Sequence, residues 1–412
     1  MHVLIVGAGL GGLALAQNLR KQGISFEIFE RDDNADARFQ GWGIALYAII
    51  DALVEAFPSD LPDLNESVNH LKPLALNPQI TVYPPGSERR LGFEHTPELP
   101  FIRAERRRFR DWLSTNLPIQ WGKRVTRIEE GSSSVTVHFE DGGSAKGDIL
   151  IGADGINSIV RAHLLPSIPN PTKAIPLATV IGQLTLSGPA LVRQLQLSHS
   201  GYMSVRPDLG FITFTGLHHM SPDGLSAKYY WNLMQIDPQI AASPDSHWLV
   251  NSTKQEKLDH VLKLTSKLPP KLREIFELTK PEEINEKTHI WRDVHLEPGS
   301  LPAGRVILMG DAAHAMMPFR GEGGYHTLVD SLVLGKVLGR LNQGNKFEDE
   351  KAVKELVGEY NTVMLKRGSQ AVKDSRALDM NATRYGPDGE PIDPSQLPQM
   401  KVLPDVEIVL GA

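Results

Sequence analysis

Residues 2–30, HVLIVGAGLGGLALAQNLRKQGISFEIFE, decide the fold. The apolar run 3–6 is typical of a strand that is buried on both faces, because it offers no polar side to solvent. A glycine-rich turn and a helical pattern follow, and the helix is predicted to end at Gly23. Residues 25–30 then predict a second strand. The stretch therefore predicts a β-α-β unit, which is the start of an α/β domain.

Three glycines give this turn the spacing Gly7-x-Gly9-x-x-Gly12. The first glycine allows the tight turn, the second lets the backbone approach a pyrophosphate, and the third lets helix and strand pack closely. Glu30 ends the second predicted strand, where a carboxylate can accept hydrogen bonds from ribose hydroxyls. We therefore predict a dinucleotide site with these four residues as ligands. A purely structural glycine turn is the alternative, and the motif alone does not separate NAD from FAD.

The composition is that of a globular protein with two or three domains. The chain has 412 residues, of which 41% are hydrophobic and 22% charged. Its formal net charge is −6, which argues against nucleic acid as the main partner. It contains no cysteine, which excludes disulfides, cysteine-ligated zinc, iron–sulfur clusters and thiol nucleophiles. No His/carboxylate cluster has metal spacing, so no metal site is predicted.

Two later segments repeat the pattern of a buried strand followed by Gly and Asp. Residues 149–151 run into Asp154-Gly155, and residues 306–309 run into Gly310-Asp311. A helix is predicted from Gly323 to Leu341, where apolar residues recur at helical spacing. Between these segments, residues 172–300 alternate polar and apolar side chains and predict a mainly antiparallel sheet.

Three segments resemble motifs of one enzyme family. Residues 148–161, DILIGADGINSIVR, resemble the Asp-Gly motif of the class A flavoprotein monooxygenases, the para-hydroxybenzoate hydroxylase type. Residues 310–324, GDAAHAMMPFRGEGG, resemble the second FAD fingerprint of that family, in the form found in its fungal specialised-metabolism branch. Residues 106–113 resemble its arginine helix, with Phe109 in place of the usual leucine.

The resemblance implies an α/β fold: a Rossmann-like FAD-binding domain with an inserted, mainly antiparallel β-sheet substrate domain. The FAD-binding domain is expected to gather residues 1–70, 98–170 and 285–380. The substrate domain is expected to take 71–97 and 171–284, and residues 386–412 are expected to form a polar C-terminal tail.

The resemblance also implies the residues that bind FAD. Asp311 would bind the ribityl hydroxyls, Pro318 would lie against the isoalloxazine, and a helix start rich in glycine would face the N1–C2=O edge of the flavin. The further implied cofactor residues are Arg31, Gly43, Arg106, Asp154, Gly155, Gly321, Gly323 and Gly324. The structural alternatives are a plain β-turn at Asp154-Gly155, an N-cap at Asp311, and surface positions for the two arginines.

The implied function is that of an FAD-dependent monooxygenase. In the family, NADPH or NADH reduces FAD, and reduced flavin and O2 form a C4a-hydroperoxyflavin that hydroxylates or epoxidises an aromatic or polycyclic small molecule. A reductase or dehydrogenase of the same fold is one alternative, and a non-catalytic flavin-binding protein is the other.

Catalytic side chains are not identifiable from the sequence. Arg206 and Tyr229, in the predicted substrate sheet, are the candidates, and ordinary core or surface roles are the alternative. His218-His219 is predicted to be solvated. Without a signal peptide or transmembrane segment in the sequence, we expect a cytoplasmic monomer or homodimer with no membrane anchor, whose partners are the substrate and O2.

Overall fold

A computed structural model describes residues 1–379, 382–397, 399–405 and 407–410. Its strands, in chain order, are β1 (His2–Val6), β2 (Ser25–Phe29), β3 (Gly43–Leu46), β4 (Gln79–Tyr83), β5 (Leu91–Glu94), β6 (Ile102–Glu105), β7 (Ile119–Gln120), β8 (Val125–Glu130), β9 (Val135–Phe139), β10 (Ser144–Gly147), β11 (Ile149–Gly152), β12 (Thr172–Ala174), β13 (Leu177–Ser187), β14 (Gly201–Arg206), β15 (Phe211–Met220), β16 (Ser226–Ile236), β17 (Arg292–Val294), β18 (Val306–Leu308) and β19 (Lys401–Val402). Its α-helices are α1 (Leu10–Gln22), α2 (Ile50–Ala56), α3 (Leu64–Val68), α4 (Arg106–Leu113), α5 (Ile159–Leu164), α6 (Gly188–Leu197), α7 (Pro238–Ala242), α8 (Trp248–Asn251), α9 (Lys254–Thr265), α10 (Pro270–Leu278), α11 (Asp311–His314), α12 (Gly323–Asn342) and α13 (Glu350–Arg376).

The chain divides into two compact units, each built from three segments. Unit 1 comprises Met1–Ser67, Arg106–Lys173 and Arg292–Pro394. Unit 2 comprises Val68–Glu105, Ala174–Trp291 and Ser395–Ala412. Among the residues described, no helix combines the length and the apolar character that a membrane crossing requires.

A five-stranded parallel sheet forms the centre of unit 1. The strand order is β18-β11-β1-β2-β7, and every neighbouring pair runs parallel. Helix α12 lies against α1 so closely that a Cβ at Gly335 would stand 2.5 Å from the Asn18 side chain. The Gln22 side chain donates to the Gly335 carbonyl at 3.0 Å, which fixes the two helices together. The predicted Rossmann-like α/β fold is confirmed.

A seven-stranded mixed sheet forms the centre of unit 2. Its order is β13-β16-β15-β14-β4-β5-β19, and only the β14–β4 pair is parallel. One face of this sheet packs on α6, α9 and α10 in a hydrophobic core that contains Trp231, Leu217 and Phe276. The predicted mainly antiparallel sheet is confirmed.

The C-terminal segment, predicted as a polar tail, contributes to unit 2. Strand β19 pairs antiparallel with β5, and Leu403 donates its N–H to the Arg90 carbonyl at 3.0 Å. The side chains of Leu403 and Ile408 are 3% and 8% exposed. The edge of β5 that β4 leaves open offers ladder hydrogen bonds to β19, and the buried side chains of Leu403 and Ile408 add apolar burial.

The sequence pattern is helical from Arg103 to Leu113, but the helix begins at Arg106, because residues 102–105 form strand β6. In a strand, Arg103 and Glu105 point to the same side. Within unit 2 their side chains pair with Tyr230 and His218 respectively. These tertiary contacts outweigh the local helical pattern.

Candidate cofactor site

The first glycine turn of unit 1 combines close internal packing with one open position. Gly7 has φ +108°, and a Cβ there would lie 2.3 Å from the Ala153 carbonyl oxygen. A Cβ at Gly12 would lie 2.0 Å from the Gly7 carbonyl oxygen. In the part of the chain that the structure describes, a Cβ at Gly9 would meet nothing within 4 Å. Packing therefore requires the outer two glycines, while Gly9 leaves its backbone open to an approaching ligand.

The carboxylate of Glu30 is held against this turn. Its side chain is 3% exposed and follows β2 directly. The N–H groups of Ala8 and Asp32 donate to its two oxygens, at 2.8 and 3.1 Å. Because a carboxylate has about four acceptor positions, two remain for ribose hydroxyls. Arg31, the next residue, is exposed.

Arg110 is a site residue that the sequence analysis did not single out. Its Nε donates to the Ala8 carbonyl at 3.0 Å, and one terminal nitrogen donates to the Ala35 carbonyl at 3.2 Å. The other terminal nitrogen is buried and has no hydrogen-bond partner among the residues that the structure describes. Burial lowers the pKa of Arg110, although the charge of Glu30 opposes that shift. The spacing of four residues from Arg106, which places both arginines on one face of α4, could have identified Arg110 from the sequence.

Arg106 adjoins the glycine segment that precedes β3. Its N–H donates to the Trp42 carbonyl at 3.2 Å. Gly41 has φ +92°, and a Cβ there would lie 3.0 Å from the Arg106 side chain. Burial lowers the pKa of Arg106, and the negative charge of Asp311 offsets only part of that shift. Gly43, the first residue of β3, lies one residue after Trp42.

The carboxylate of Asp154 lies against the start of α5, whose N-cap residue is Ser158. One carboxylate oxygen accepts from the N–H groups of Ile159 and Val160, at 2.8 and 3.3 Å. The other oxygen is buried and unpartnered within the described part of the chain. Burial raises the pKa of Asp154. Gly155 has φ +78°, which favours glycine.

The second predicted segment brings Asp311 and Gly323 together. Asp311 is the exposed first residue of α11, and its side chain does not cap that helix. Its Oδ1 lies 4.0 Å from the position of a Cβ at Gly323, the first residue of α12. A carboxylate and the N–H groups of a helix start therefore lie side by side.

Backbone conformation or packing explains the other residues of this segment. Pro318 begins a short 3-10 turn that ends at Arg320, and Gly321 follows with φ +67°. A Cβ at Gly324 would lie 2.5 Å from the Ile44 side chain. Close packing therefore requires a glycine at position 324. Among the described residues, a Cβ at Gly321 would meet nothing within 4 Å, and one at Gly323 would make only ordinary van der Waals contact, at 3.7 Å or more.

A buried polar cluster, absent from the sequence analysis, adjoins this segment. Glu322 pairs with Arg320 at 2.8 Å and with Arg384. The Tyr47 hydroxyl donates to Glu322 at 3.4 Å, and its ring stacks on Tyr325 with centroids 4.4 Å apart. Burial raises the pKa of Tyr47 above its usual value.

The two catalytic candidates lie in unit 2 on the side of the sheet that carries the core. Arg206 ends β14 and pairs with Asp208 through two hydrogen bonds of 2.9 and 2.6 Å. It lines a cavity of about 340 Å³ with Ser204 and Lys267. Tyr229 belongs to the hydrophobic core, and burial raises its pKa well above the usual value.

The opposite side of this sheet carries polar and aromatic residues. Tyr230 pairs across strands with Gly216, and a Cβ at Gly216 would lie 2.7 Å from its ring. Arg103 hydrogen-bonds the Tyr230 hydroxyl. The His218 ring lies 2.9 Å from Glu105, and the two side chains are 12% and 6% exposed. The prediction that His218 is solvated is therefore wrong, because its carboxylate partner comes from a distant strand.

Comparison with known proteins identifies the family. An FAD-binding domain family matches residues 107–375, and an NAD(P)-binding Rossmann-like domain family matches 5–39. The FAD-dependent monooxygenase thnD of Trichoderma harzianum is 54% identical over 100% of this chain and 99% of its own length. The FAD-dependent monooxygenase cctM of Talaromyces islandicus is 28% identical, over 91% of each chain.

Solved structures show the same fold. A putative FAD-containing monooxygenase from Photorhabdus luminescens has a TM-score of 0.70 at 24% identity, covering 92% of this chain and 97% of its own. A salicylate hydroxylase in complex with substrate has a TM-score of 0.66 at 21% identity, covering 92% and 88%. With a relative of 54% identity along its whole length, the chain belongs to the FAD-dependent monooxygenases of the para-hydroxybenzoate hydroxylase type.

Proposed function

We propose that this monooxygenase hydroxylates an aromatic small molecule, with NADPH or NADH as the reductant and O2 as the source of the inserted oxygen. The observation that carries the proposal is the pairing of Asp311 with Gly323 in unit 1. Reduced flavin carries negative charge at its N1–C2=O edge, and the N–H groups of a helix start stabilise such charge.

Residues of unit 1 fit FAD. The open backbone at Gly9 and the unpartnered nitrogen of Arg110 suit a pyrophosphate, since arginine donates to phosphate in a fixed fork. Glu30 has acceptor positions left for the ribose, and Asp311 is exposed for the ribityl chain. Bound FAD supplies the transfer of electrons from the nicotinamide to O2.

Arg106, Asp154 and Gly155 complete the proposed cofactor site. The charge of Arg106 acts near Asp311, and the second oxygen of Asp154 is open to a ligand donor. Arg31, Gly43, Pro318 and Gly321 are proposed contacts by their places beside these residues in the chain.

We further propose that the aromatic substrate binds the polar side of the unit 2 sheet. The rings of Phe214 and Tyr230 lie on this side with their centroids 5.9 Å apart, a separation that aromatic pairs favour. Arg103 places a positive charge beside Tyr230, and the Glu105–His218 pair can hold a proton. We therefore propose Tyr230 as the tyrosine that contacts the substrate, rather than Tyr229, which belongs to the hydrophobic core.

A single series of spectra tests this function. Protein loaded with FAD is mixed with NADPH or NADH without oxygen, with and without phenolic compounds, and is then exposed to air. We expect a phenol to speed the bleaching of the flavin, air to restore its colour, and the product to carry one 18O atom from 18O2. A flavin that stays reduced in air would indicate a reductase, and one that never bleaches would favour a non-catalytic binding protein.

We also propose that the enzyme works in the cytosol as a monomer or homodimer, without a nucleic-acid partner. The net charge of −6 supports the last point. Gel filtration with light scattering measures the oligomeric state.

A further inference from the structure

A buried carboxylate in unit 1 holds both ends of the turn that carries Asp311. Asp330, in α12, is 0% exposed. One of its oxygens accepts from the Gly310 N–H and from the His314 ring, both at 2.7 Å. Gly310 and His314 flank the residues Asp311–Ala313, so Asp330 fixes the orientation from which the Asp311 side chain leaves the backbone.

Arg367, in α13, connects this carboxylate to His326, near the start of α12. Its guanidinium is 1% exposed and pairs with the other oxygen of Asp330. It also donates to the His326 ring at Nδ1, at 2.8 Å, and contacts the His326 carbonyl at 3.3 Å. Because a guanidinium can only donate, Nδ1 accepts from Arg367 and the proton of the neutral ring lies on Nε2. Burial also lowers the pKa of His326 well below its usual value.

The far side of His326 faces the start of α12. Its Nε2 lies 3.9 Å from a carboxylate oxygen of Glu322, the residue before Gly323. Asp330, Arg367 and His326, which we name the Asp330–Arg367 network, thus form one buried connection. The connection runs from the Asp311 turn to the glycine start of α12, which are the two places proposed to hold the flavin.

Stability alone does not explain why a buried ion pair joins α12 and α13 at Asp330 and Arg367. A buried ion pair is commonly neutral or worse for stability than a hydrophobic pair of the same volume. Here α13 also packs so tightly that a Cβ at Gly368 would lie 2.6 Å from the His314 ring. Hydrogen bonds in fixed directions set the separation between the Asp311 turn and the start of α12, which apolar contacts do not do.

We propose that Arg367 and Asp330 are positioning residues for FAD: they hold the Asp311 carboxylate and the N–H groups at Gly323 at the spacing that the flavin and its ribityl chain need. Neither residue has to contact the cofactor. This inference rests on the proposed placement of FAD at Asp311.

The test measures FAD affinity separately from folding. Arg367→Met and Arg367→Lys are compared with Arg305→Met, a control in the same unit. Arg305 is also buried, at 4% exposure, and within the described residues its side chain donates to the carbonyls of Ser132 and Asp148. FAD affinity is measured by quenching of flavin fluorescence, the bound flavin by visible circular dichroism and midpoint potential, and the fold by the Tm of the apoprotein.

We expect both methionine variants to lower Tm, but only Arg367→Met to weaken FAD binding by about tenfold or more. Arg367→Lys keeps the charge but loses the fork that reaches Asp330 and His326 together, so we expect weaker FAD binding at a near-normal Tm. Loss of the fixed spacing is also expected to change the circular dichroism of any flavin that still binds.

The double variant Asp330→Asn/Arg367→Met separates positioning from stability. It removes both charges, so we expect Tm to recover relative to Arg367→Met while FAD affinity does not recover. Should that double variant not fold, Arg367→Lys decides the question. Wild-type FAD affinity in either folded variant would overturn the inference.

The variant Asp311→Ala shows whether a negative result concerns only the positioning role of Arg367 and Asp330 or the proposed cofactor site as a whole. If Asp311→Ala loses FAD while the Arg367 variants keep it, the positioning role alone is wrong. If Asp311→Ala retains FAD, the proposed placement itself is wrong.

Discussion

Glu30→Gln is the sharpest test of the cofactor site, because the side chain keeps its shape and loses its charge. In the structure the N–H groups of Ala8 and Asp32 donate to the two carboxylate oxygens, at 2.8 and 3.1 Å. Glutamine has one oxygen, so one of these N–H groups would face an amide NH2 instead. A hydrogen bond to a charged group contributes about 1.5–3 kcal/mol. We expect the free energy of unfolding of the apoprotein to fall by about 1–2 kcal/mol, measured in urea.

The same substitution is expected to weaken FAD binding further. A ribose hydroxyl that donates to Glu30 would lose a charged acceptor, and a loss of about 1.5–3 kcal/mol raises Kd by about 10- to 150-fold. Titration of the apoprotein with FAD, followed by flavin fluorescence, measures this change.

Glu27→Gln is the matched control for this prediction. Glu27 lies on β2, the strand that leads to Glu30. Its side chain is 37% exposed, and it pairs with His2 and Gln120 at 3.1 and 2.7 Å. It should leave FAD affinity unchanged. If Glu30→Gln bound FAD within about threefold of the wild-type Kd, the carboxylate would only support the turn and the ribose role would be refuted.

Four further substitutions test separate parts of the structure. Asp311→Ala should lose FAD at an unchanged Tm of the apoprotein; a full complement of flavin after purification would contradict the ribityl role. Arg110→Met should weaken FAD binding by about tenfold or more and reduce its salt dependence, whereas the exposed Arg107→Met should not, as titrations at two salt concentrations would show. Burial favours a raised pKa for Asp330, but the interactions with His314 and Arg367 outweigh burial and hold that pKa at about 2. The ionised carboxylate therefore stabilises the fold fully above about pH 4, and this stabilisation is lost as the pH falls through 2. In acid unfolding, we expect Asp330→Asn to lose about 2 kcal/mol less free energy of unfolding over this pH range than the wild type. Ile408→Ala should lower the free energy of unfolding by about 2 kcal/mol in a urea titration, and an unchanged value would show that the C-terminal segment does not contribute to the core.

The fold was predictable where chemistry and local periodicity agree. Residues 3–6 are apolar without interruption, and the spacing of Gly7, Gly9 and Gly12 serves the turn that follows, so strand, turn and helix have one consistent reading. The helix from Gly323 carries apolar residues at helical spacing and extends to Asn342 in the structure. These signals lie within a few residues of one another in the chain.

The residues that the sequence did not reveal depend on distant partners. Glu105 and His218 pair across 113 positions of the sequence, so neither has a local signal. Arg110 gains its place from the carbonyls of Ala8 and Ala35, which become neighbours only after α4 packs on the first turn. Tyr229 and Tyr230 are adjacent in the sequence, but they point to opposite sides of the sheet because strand side chains alternate. Which side carries the core is a property of the folded sheet.

The pairing of β19 with β5 has a consequence for the order in which the protein is made. Strand β5 ends at Glu94, and its outer edge is paired by Lys401 and Val402. A ribosome therefore adds roughly three hundred residues, at about 5–20 residues per second, before that edge can be covered. Throughout that interval β5 presents open backbone groups, which invite pairing with other nascent chains. We expect unit 2 to complete its sheet only after β19 has left the ribosome, and chaperone binding to be concentrated on residues 79–94 until then.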